Sequence, residues 1–570
     1  MKKAIPVFVA IFLILIIGGV TFGSKLYEKY SYSQEEADLN EYYHLYSDTD
    51  MAIILKDTIV PEHARYVDGE VYFDLDTVHK YFNERFYADV KEQLLLYTMP
   101  TYVIRTTFGT SQYSYTDENQ QPVDNTTDYK ISYYEDDTLY IAADYVAQYT
   151  DLHYYPYTDP NRVWIDTQES ERTEGTINKN TAVRLRGGVK SAILTKREAG
   201  EQVIVLEQMD EWSKVQTIDG FIGYVENKRL DNVGPVAIDY ASDFTEPVFT
   251  NIKRDDKINM VWQQFWSAQD GSYLREGLKG TSGINVVSPT VFFLSDNQGN
   301  ILNIANKNYV DTAHDMGLEV WALVSNVDEP SADVNSKELL SSTTARNTLC
   351  NNLIAAVEEY GFDGINVDFE QVNMQAGEDY IQFIRELSVV CRNKGIVLSV
   401  DNYVPTEYTA HYNRTEQGIW ADYVIIMGYD EHYAGSGAGS VASIGYVSKG
   451  IADTVALVPE EKVINALPFY TRVWKTQGGN VTCESVGMNT AQNILAQNGV
   501  TPVWSDEVCQ NYGEYESGDT LCQIWLEDGE SIQAKLGVMS QYNLAGVAGW
   551  KLGLQADYVW DLLAAYLAQQ

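Results

Sequence analysis

Asp363-Gly364-Ile365-Asn366-Val367-Asp368-Phe369-Glu370 decides how this chain is read. Ile365, Val367 and Phe369 alternate with Gly364, Asn366, Asp368 and Glu370. Strand side chains alternate between faces, so the polar set shares one face and the apolar set the other. Two carboxylates and an amide are costly to bury unless they are paired or serve a site. Glu370 comes last, at the C-terminal end of the strand, and in barrels of parallel strands that end carries catalysis. The competing reading is an exposed edge strand with a solvated acidic face. The apolar flank and the helical pattern that follows speak against it.

Outward from this stretch, alternating strand and helix patterns fill residues 236–570. Candidate strands begin at Ile258, Ile284, Val320, Gly364, Val397, Val424, Val463 and Gly546. Segments with apolar spacing near 3.6, such as Arg346 to Glu359 and Asp379 to Arg392, lie between them. Eight strands with helices predict an α/β fold, a TIM (β/α)8 barrel. The largest insertion, Lys475 to Gln541, falls between strands seven and eight.

The whole chain has 570 residues and a net charge of -41. That length implies about three or four domains. The acidity argues against nucleic acid, whose binders need a basic footprint. The five cysteines (Cys350, Cys391, Cys483, Cys509 and Cys522) form no C-x-x-C pair and have no histidine cluster, so no metal site is expected. Pairings of Cys350 with Cys391 and of Cys509 with Cys522 stay open, because spacing does not fix disulfide geometry.

Ahead of the barrel the pattern changes three times. Lys2 and Lys3 precede an apolar run from Ala4 to Phe22, about the length of a membrane span. The lysines place the N-terminus in the cytoplasm. Residues 1–25 therefore read as a cytoplasmic tip and transmembrane signal anchor, with a single-pass cell-membrane location and the bulk of the chain extracytoplasmic. A cleaved signal peptide and a secreted protein is the alternative. Residues 26–49 are polar and Tyr-rich and read as a tether. Residues 50–170 hold an α+β repeat: Asp68 to Phe73 opens one copy and Asp136 to Ile141 the other. Each copy is a strand, a helix near Asp76 or Asp144, and a further strand, with Thr110 to Tyr129 as a long loop between them. This pattern resembles the N-terminal domain of copper amine oxidases, which implies a fold only. Residues 174–232 are short strands between turns. Val183-Arg184-Leu185-Arg186-Gly187-Gly188, the strand around Trp212, and Asp219-Gly220-Phe221-Ile222-Gly223-Tyr224-Val225 resemble a bacterial SH3-like domain, a small all-β barrel. The resemblance implies a wall-peptide partner; a rigid spacer with Trp212 in its core is the other reading.

The barrel resembles family 18 glycoside hydrolases. Asp363 to Glu370 has that family's D-G-x-[DN]-x-[DN]-x-E form, Met427-Gly428-Tyr429-Asp430 its M-x-Y-D form, Leu467-Pro468-Phe469-Tyr470 follows strand seven, and Trp550 ends strand eight. Val286 to Thr290 is similar to the spore-germination and cell-wall N-acetylglucosaminidase branch. The resemblance implies Glu370 as general acid, Asp368 orienting the substrate's 2-acetamido group, and Tyr429 bonding its carbonyl. Asp363 would hold the acids in register from deeper in the barrel. Substrate contacts would come from Trp550 as the floor of the site, with Asn366, Met427, Asp430, Tyr403 and Tyr470. Trp262, Trp321 and Asn402 are weaker candidates. No cofactor is implied. The expected substrate is an N-acetylated glycan, peptidoglycan or chitin oligomers; a secreted chitinase and a non-catalytic wall-binding lectin are the alternatives. Asn366 stands where many chitinases have Asp.

Overall fold

The computed structural model describes every residue except 1–4, 118, 167–169, 239–241, 243 and 570. Lys2 and Lys3, on which the expected orientation in a membrane rests, lie outside the described residues. The rest falls into two compact units. One comprises residues 1–86, 107–112 and 126–246; the other comprises 87–106, 113–125 and 247–570.

The second unit is built on eight parallel strands that close into a barrel: β1 Ile258–Gln263, β2 Val286–Leu294, β3 Glu319–Ser325, β4 Gly364–Asp368, β5 Val397–Tyr403, β6 Tyr423–Met427, β7 Val463–Pro468 and β8 Gly546–Trp550. β1 closes the ring by pairing with both β2 and β8. The eight strands fall where the apolar segments predict them. Parallel strands covered by helices have two dry faces, and β2, β6 and β7 are buried along their whole length. Gly364 opens β4 because a Cβ there would meet the Trp321 ring at 2.7 Å.

The helices behind β4 obey ordinary capping chemistry. Thr343–Tyr360 starts at Ser342, whose hydroxyl accepts the Ala345 amide, and stops at Gly361 with φ of 78°. Gly377–Lys394 stops at Gly395 with φ of 69°. Phe369 stacks on Phe383 of that helix at 5.4 Å. Thus the apolar face of the opening stretch packs outward, and its polar face turns into the barrel.

Two additions belong to this unit. The insertion after β7 is a five-stranded antiparallel sheet with helix Met488–Gln497, closed around Val473, Leu495, Ile524 and Leu526. The other is a five-stranded sheet from residues 86–126. It includes strands Gln112–Thr116 and Pro122–Thr126, where the sequence suggested a loop. Ser, Thr, Asn and Gln read as loop residues by composition, but the half-buried alternation of Tyr113 and Tyr115 is a strand pattern. Tyr87 of this sheet donates to Asp379 at 2.6 Å and accepts from Arg346 at 3.1 Å. Asp89 and Glu92 accept the amides of Thr343 and Thr344, satisfying the open end of the helix.

In the first unit, residues 50–166 contribute a seven-stranded sheet. Each repeat copy is strand, helix, strand: 70–74, 75–81 and 86–89, then 138–142, 143–147 and 153–157, although 86–89 pairs in the five-stranded sheet of residues 86–126 and not in this one. Residues 171–237 form a second seven-stranded sheet that contains the expected short strands. Trp212 is half-buried on the wall of a cleft of about 510 Å³ with Tyr32, Arg184, Arg197 and Glu226, rather than in the small domain's core. Ile5–Tyr30 is the one described helix long and apolar enough to cross a membrane.

The expected tether does not run free. Lys190 donates to Ser31, Ser33 to the Val189 carbonyl, and Ala37 to the Ile193 carbonyl. Asp38 caps the short helix Leu39–Tyr43, which brings Tyr43 to full burial with its hydroxyl on the Gly220 carbonyl. Tyr42 and Tyr43, which by composition read as part of a solvated tether, are among the groups that fasten it, with hydroxyls on the Ile222 and Gly220 carbonyls. All five cysteines are free thiols, so neither pairing left open by the sequence is made.

Candidate active site

The C-terminal ends of β4, β5, β6, β8 and β1 surround a cavity of about 160 Å³. It is lined by Trp262, Asp368, Glu370, Asp401, Tyr403, Met427, Tyr429, Asp430, Tyr470 and Trp550. Asp368 ends β4, and Glu370 follows two residues later, so strand alternation brings both carboxylates to one face.

Glu370 is fixed from three sides. The side-chain amide of Asn326, just past β3, takes both its backbone groups: the Glu370 amide donates to Oδ1 at 2.8 Å, and Nδ2 donates to the Glu370 carbonyl at 2.9 Å. The Tyr403 hydroxyl donates to Glu370 Oε2 at 2.7 Å. Burial raises the Glu370 carboxyl above the usual carboxylate range, with help from Asp430 and Asp328, while the Tyr403 bond opposes the rise. Asp368 is pushed well up, by burial first and then by Glu370, Asp401 and Asp328; its Oδ1 is buried without a hydrogen-bond partner. Such an atom costs about 1–3 kcal/mol and is kept where something else will engage it.

One layer down, Asn366 joins the walls. Its Oδ1 accepts Trp262 Nε1 at 2.8 Å and the Ser288 hydroxyl at 3.1 Å, and its Nδ2 donates to Asp401 Oδ1 at 2.8 Å. Asn366 is fully buried beneath the cavity and is not among the residues that line it. Asp401 is raised by burial, against the Asn366 bond and with Glu370 adding to the rise.

On the opposite wall, Tyr429 is buried, and its phenol is pushed well above its usual value by burial and by Tyr470, Asp401, Asp368 and Glu370. Asp430, at φ of 59°, receives two donors on Oδ1: Tyr470 at 2.6 Å and Arg472 Nη2 at 2.7 Å. Trp550 and Trp262 have ring centroids 5.8 Å apart at 60°, and Met427 closes the end of β6.

The structure thus gathers Glu370, Asp368, Tyr429, Trp550, Met427, Asp430, Tyr403, Tyr470 and Trp262 around one cavity. Four candidates lie outside its lining, Asn366 beneath it and three others farther off. Asp363 precedes β4 at the barrel's other end, where its Oδ2 accepts the Val320 amide at 2.8 Å and faces His314 Nε2 at 2.9 Å. Five steps of extended chain separate it from Asp368, about 17 Å. Trp321 stacks on Tyr423 at 5.4 Å in the core. Asn402 turns away from the cavity and pairs with Gln417. Three contributors went unnoticed. Ser399, Asp401 and Tyr403 share one face of β5, which could have pointed to Asp401 rather than Asn402. Arg472 shares a strand face with Tyr470. Asn326 carries no sequence signal.

Residues 257–555 match the model of glycosyl hydrolases family 18. This chain belongs to that family. Residues 179–231 match the bacterial SH3 domain. Among curated relatives, the uncharacterized glycosylase YvbX of Bacillus subtilis (strain 168) is 25% identical over 292 residues, 49% of this chain and 84% of its own length. The cortical fragment-lytic enzyme of the same organism is 27% identical over 258 residues, 42% of this chain and 58% of its own length. The chain therefore spans little more than half of that relative. A crystal structure of a chitinase from Chromobacterium violaceum superposes with a TM-score of 0.50 at 23% identity, covering 55% of this chain and all of that one, which supports the fold. The family 18 chain is accordingly a glycoside hydrolase, similar in sequence to the cortical fragment-lytic enzyme.

Proposed function

We propose that the enzyme cleaves β-1,4 linkages of N-acetylglucosamine-containing glycans, peptidoglycan first among them, by substrate-assisted retaining hydrolysis. One observation carries this reading: three carboxyls with raised pKa, Asp368, Glu370 and Asp401, line one cavity with Trp550, and of the three only Glu370 has a tyrosine donor on it. Glu370, whose carboxyl burial shifts toward the protonated form, gives its proton to the leaving glycosidic oxygen. The 2-acetamido oxygen of the substrate attacks the anomeric carbon and forms an oxazolinium. Asp368 takes the acetamido N–H on its unpartnered Oδ1 and stabilises the positive charge that develops. Tyr429 holds the acetamido oxygen in line. Glu370, now a carboxylate, takes a proton from the water that opens the ring, and the configuration is retained. Asp430 and Tyr470 bond sugar hydroxyls, Trp550 stacks under the ring, and Asn366 sets Asp401 and Trp262 rather than touching sugar. Asp363 takes a structural part, tying the start of β4 to β3.

The peptidoglycan assignment draws on the cortical fragment-lytic relative and on the module ahead of the barrel. The same reading makes residues 1–25 a membrane anchor, 50–170 and 174–232 accessory domains, 236–570 the catalytic domain, and the Trp212 cleft a site for wall peptide. The test is Glu370→Gln, with release of reducing ends followed from peptidoglycan and from chitin oligomers. Wild-type release from peptidoglycan that the variant lacks supports the proposal. Equal release by both proteins would sink it, and wild-type release from chitin alone would move the substrate to chitin.

A further inference from the structure

Glu370 sits in the turn Phe369 to Val372, which leaves β4 after Asp368. β3 and β5 flank β4, and side chains that follow from each of them take six backbone groups of this turn. From the β3 side, Asn326 holds the Glu370 amide and carbonyl. Its Nδ2 also donates to Ser336 Oγ at 3.1 Å, so the clamp is itself anchored. From the β5 side, the Tyr403 hydroxyl that donates to Glu370 Oε2 accepts the Gln371 amide at 3.3 Å. The segment Glu407–Tyr412 follows β5 and supplies two more side chains. The Tyr412 hydroxyl donates to the Phe369 carbonyl and accepts the Val372 amide, both at 3.1 Å, and His411 Nε2 donates to the Val372 carbonyl at 2.9 Å.

Gln371, directly after the acid, has φ of 52°. Left-handed backbone is unfavourable for a residue with a Cβ, and it persists where the surroundings over-determine it. Here the surroundings are the bonds just named, made by two buried side chains, Asn326 and Tyr412, together with Tyr403 and His411. Asn326 and Tyr412 do not line the cavity, so substrate recognition does not explain them. The demand they meet is one of aim. A general acid must stand within hydrogen-bond reach of the leaving oxygen, and a misplacement of about 1 Å can cost about a hundredfold in rate.

We propose that Asn326 and Tyr412 are positioning residues for the general acid. Gripping the turn from the β3 and β5 sides, they hold the Glu370 backbone in one place, so that its carboxyl keeps one line to the leaving oxygen. Both act through Glu370 and neither touches the sugar. This deepens the hydrolytic reading and rests on it.

The test compares leaving groups in the full chain, because only a poor leaving group needs the proton. A strand disaccharide ending in N-acetylglucosamine carries either a further sugar or a dinitrophenyl group, which departs as a stable anion without protonation. kcat/KM reports the release of that group. Asn326→Ala and Tyr412→Phe should each lower kcat/KM at least about tenfold on the sugar substrate and leave the dinitrophenyl substrate within about twofold of the wild type. Tyr412→Phe is the milder change. It deletes one oxygen and keeps the ring against Tyr380 and Tyr403, at centroid distances of 5.4 and 6.0 Å, so the proposal stays testable if Asn326→Ala does not fold. Equal losses on both substrates would mark a part in the fold alone and overturn the proposal, as would no loss on either. Glu370→Gln is the reference. If it loses both substrates alike, the acid assignment falls. If it shows the leaving-group split and the other two variants do not, the acid stands and the positioning role falls.

Discussion

Replacing Tyr403 with Phe isolates one force on the proposed proton donor. Two influences oppose each other at Glu370: burial raises its pKa, and the Tyr403 hydroxyl, donating at 2.7 Å to Oε2, lowers it. The hydroxyl favours the carboxylate form, so its removal leaves burial less opposed and the pKa must rise. Hydrogen bonds to charged groups contribute about 1.5–3 kcal/mol. At about 1.4 kcal/mol per unit, Tyr403→Phe should raise the pKa by about 1–2 units. A general acid works while protonated, so activity falls as pH climbs through its pKa. The alkaline limb of the kcat/KM profile should therefore move to higher pH by about 1–2 units. The assay is reducing-end release across pH, with thermal unfolding as a check that the fold is intact. A limb that stays in place, or moves to lower pH, with the fold intact would refute either Glu370 as the acid or the Tyr403 bond as its tuner.

Three other outcomes follow from the same geometry. The Asp401 carboxyl is raised in the folded state, so its stabilising contribution is complete below its unfolded value near 3.9 and is lost as pH rises through the folded value; Asp401→Asn should raise the unfolding free energy from urea titration at pH 7 by about 1–3 kcal/mol and leave it unchanged near pH 3. Arg472→Ala removes one of two donors on Asp430 Oδ1 and should raise KM about tenfold with a smaller effect on kcat, as steady-state kinetics will report. Tyr43→Ala empties a fully buried site at about 3–5 kcal/mol and should speed chymotrypsin cleavage within residues 31–50 relative to the wild type, as timed digestion will report.

The barrel was legible because strand alternation and dry flanks are local properties, and β4 shows both in eight residues. The two carboxylates and their end of the strand followed from the same alternation. Asp363 was read as a support deeper in the barrel, and the extended strand does carry it to the far end, where it ties β4 to β3 rather than touching the acids. Asp401 was within reach through its face of β5, yet Asn402 beside it attracted the assignment. Asn326 was out of reach: its partner is a backbone 44 positions away, set by closure of the barrel. Residues 112–126 were read as a loop because composition outweighed a weak alternation. The tether was read as free for the same reason, although its tyrosines have partners that only the fold supplies.

The docking of residues 31–43 changes the mechanics of the first unit. A free segment of the 20 residues from Ser31 to Asp50 could stretch to about 70 Å and would act as a leash. Here the apolar helix ends at Tyr30, and Ser31 is already bonded to Lys190. There is no slack between them: wherever the helix is held, the SH3-like module is held at the same depth. Its cleft, walled in part by Tyr32, can sample only what comes to that level, and any pull on the helix loads the bonds of Ser31 and Ser33 to Lys190 and Val189 first and the edge of the sheet at Ile193 next.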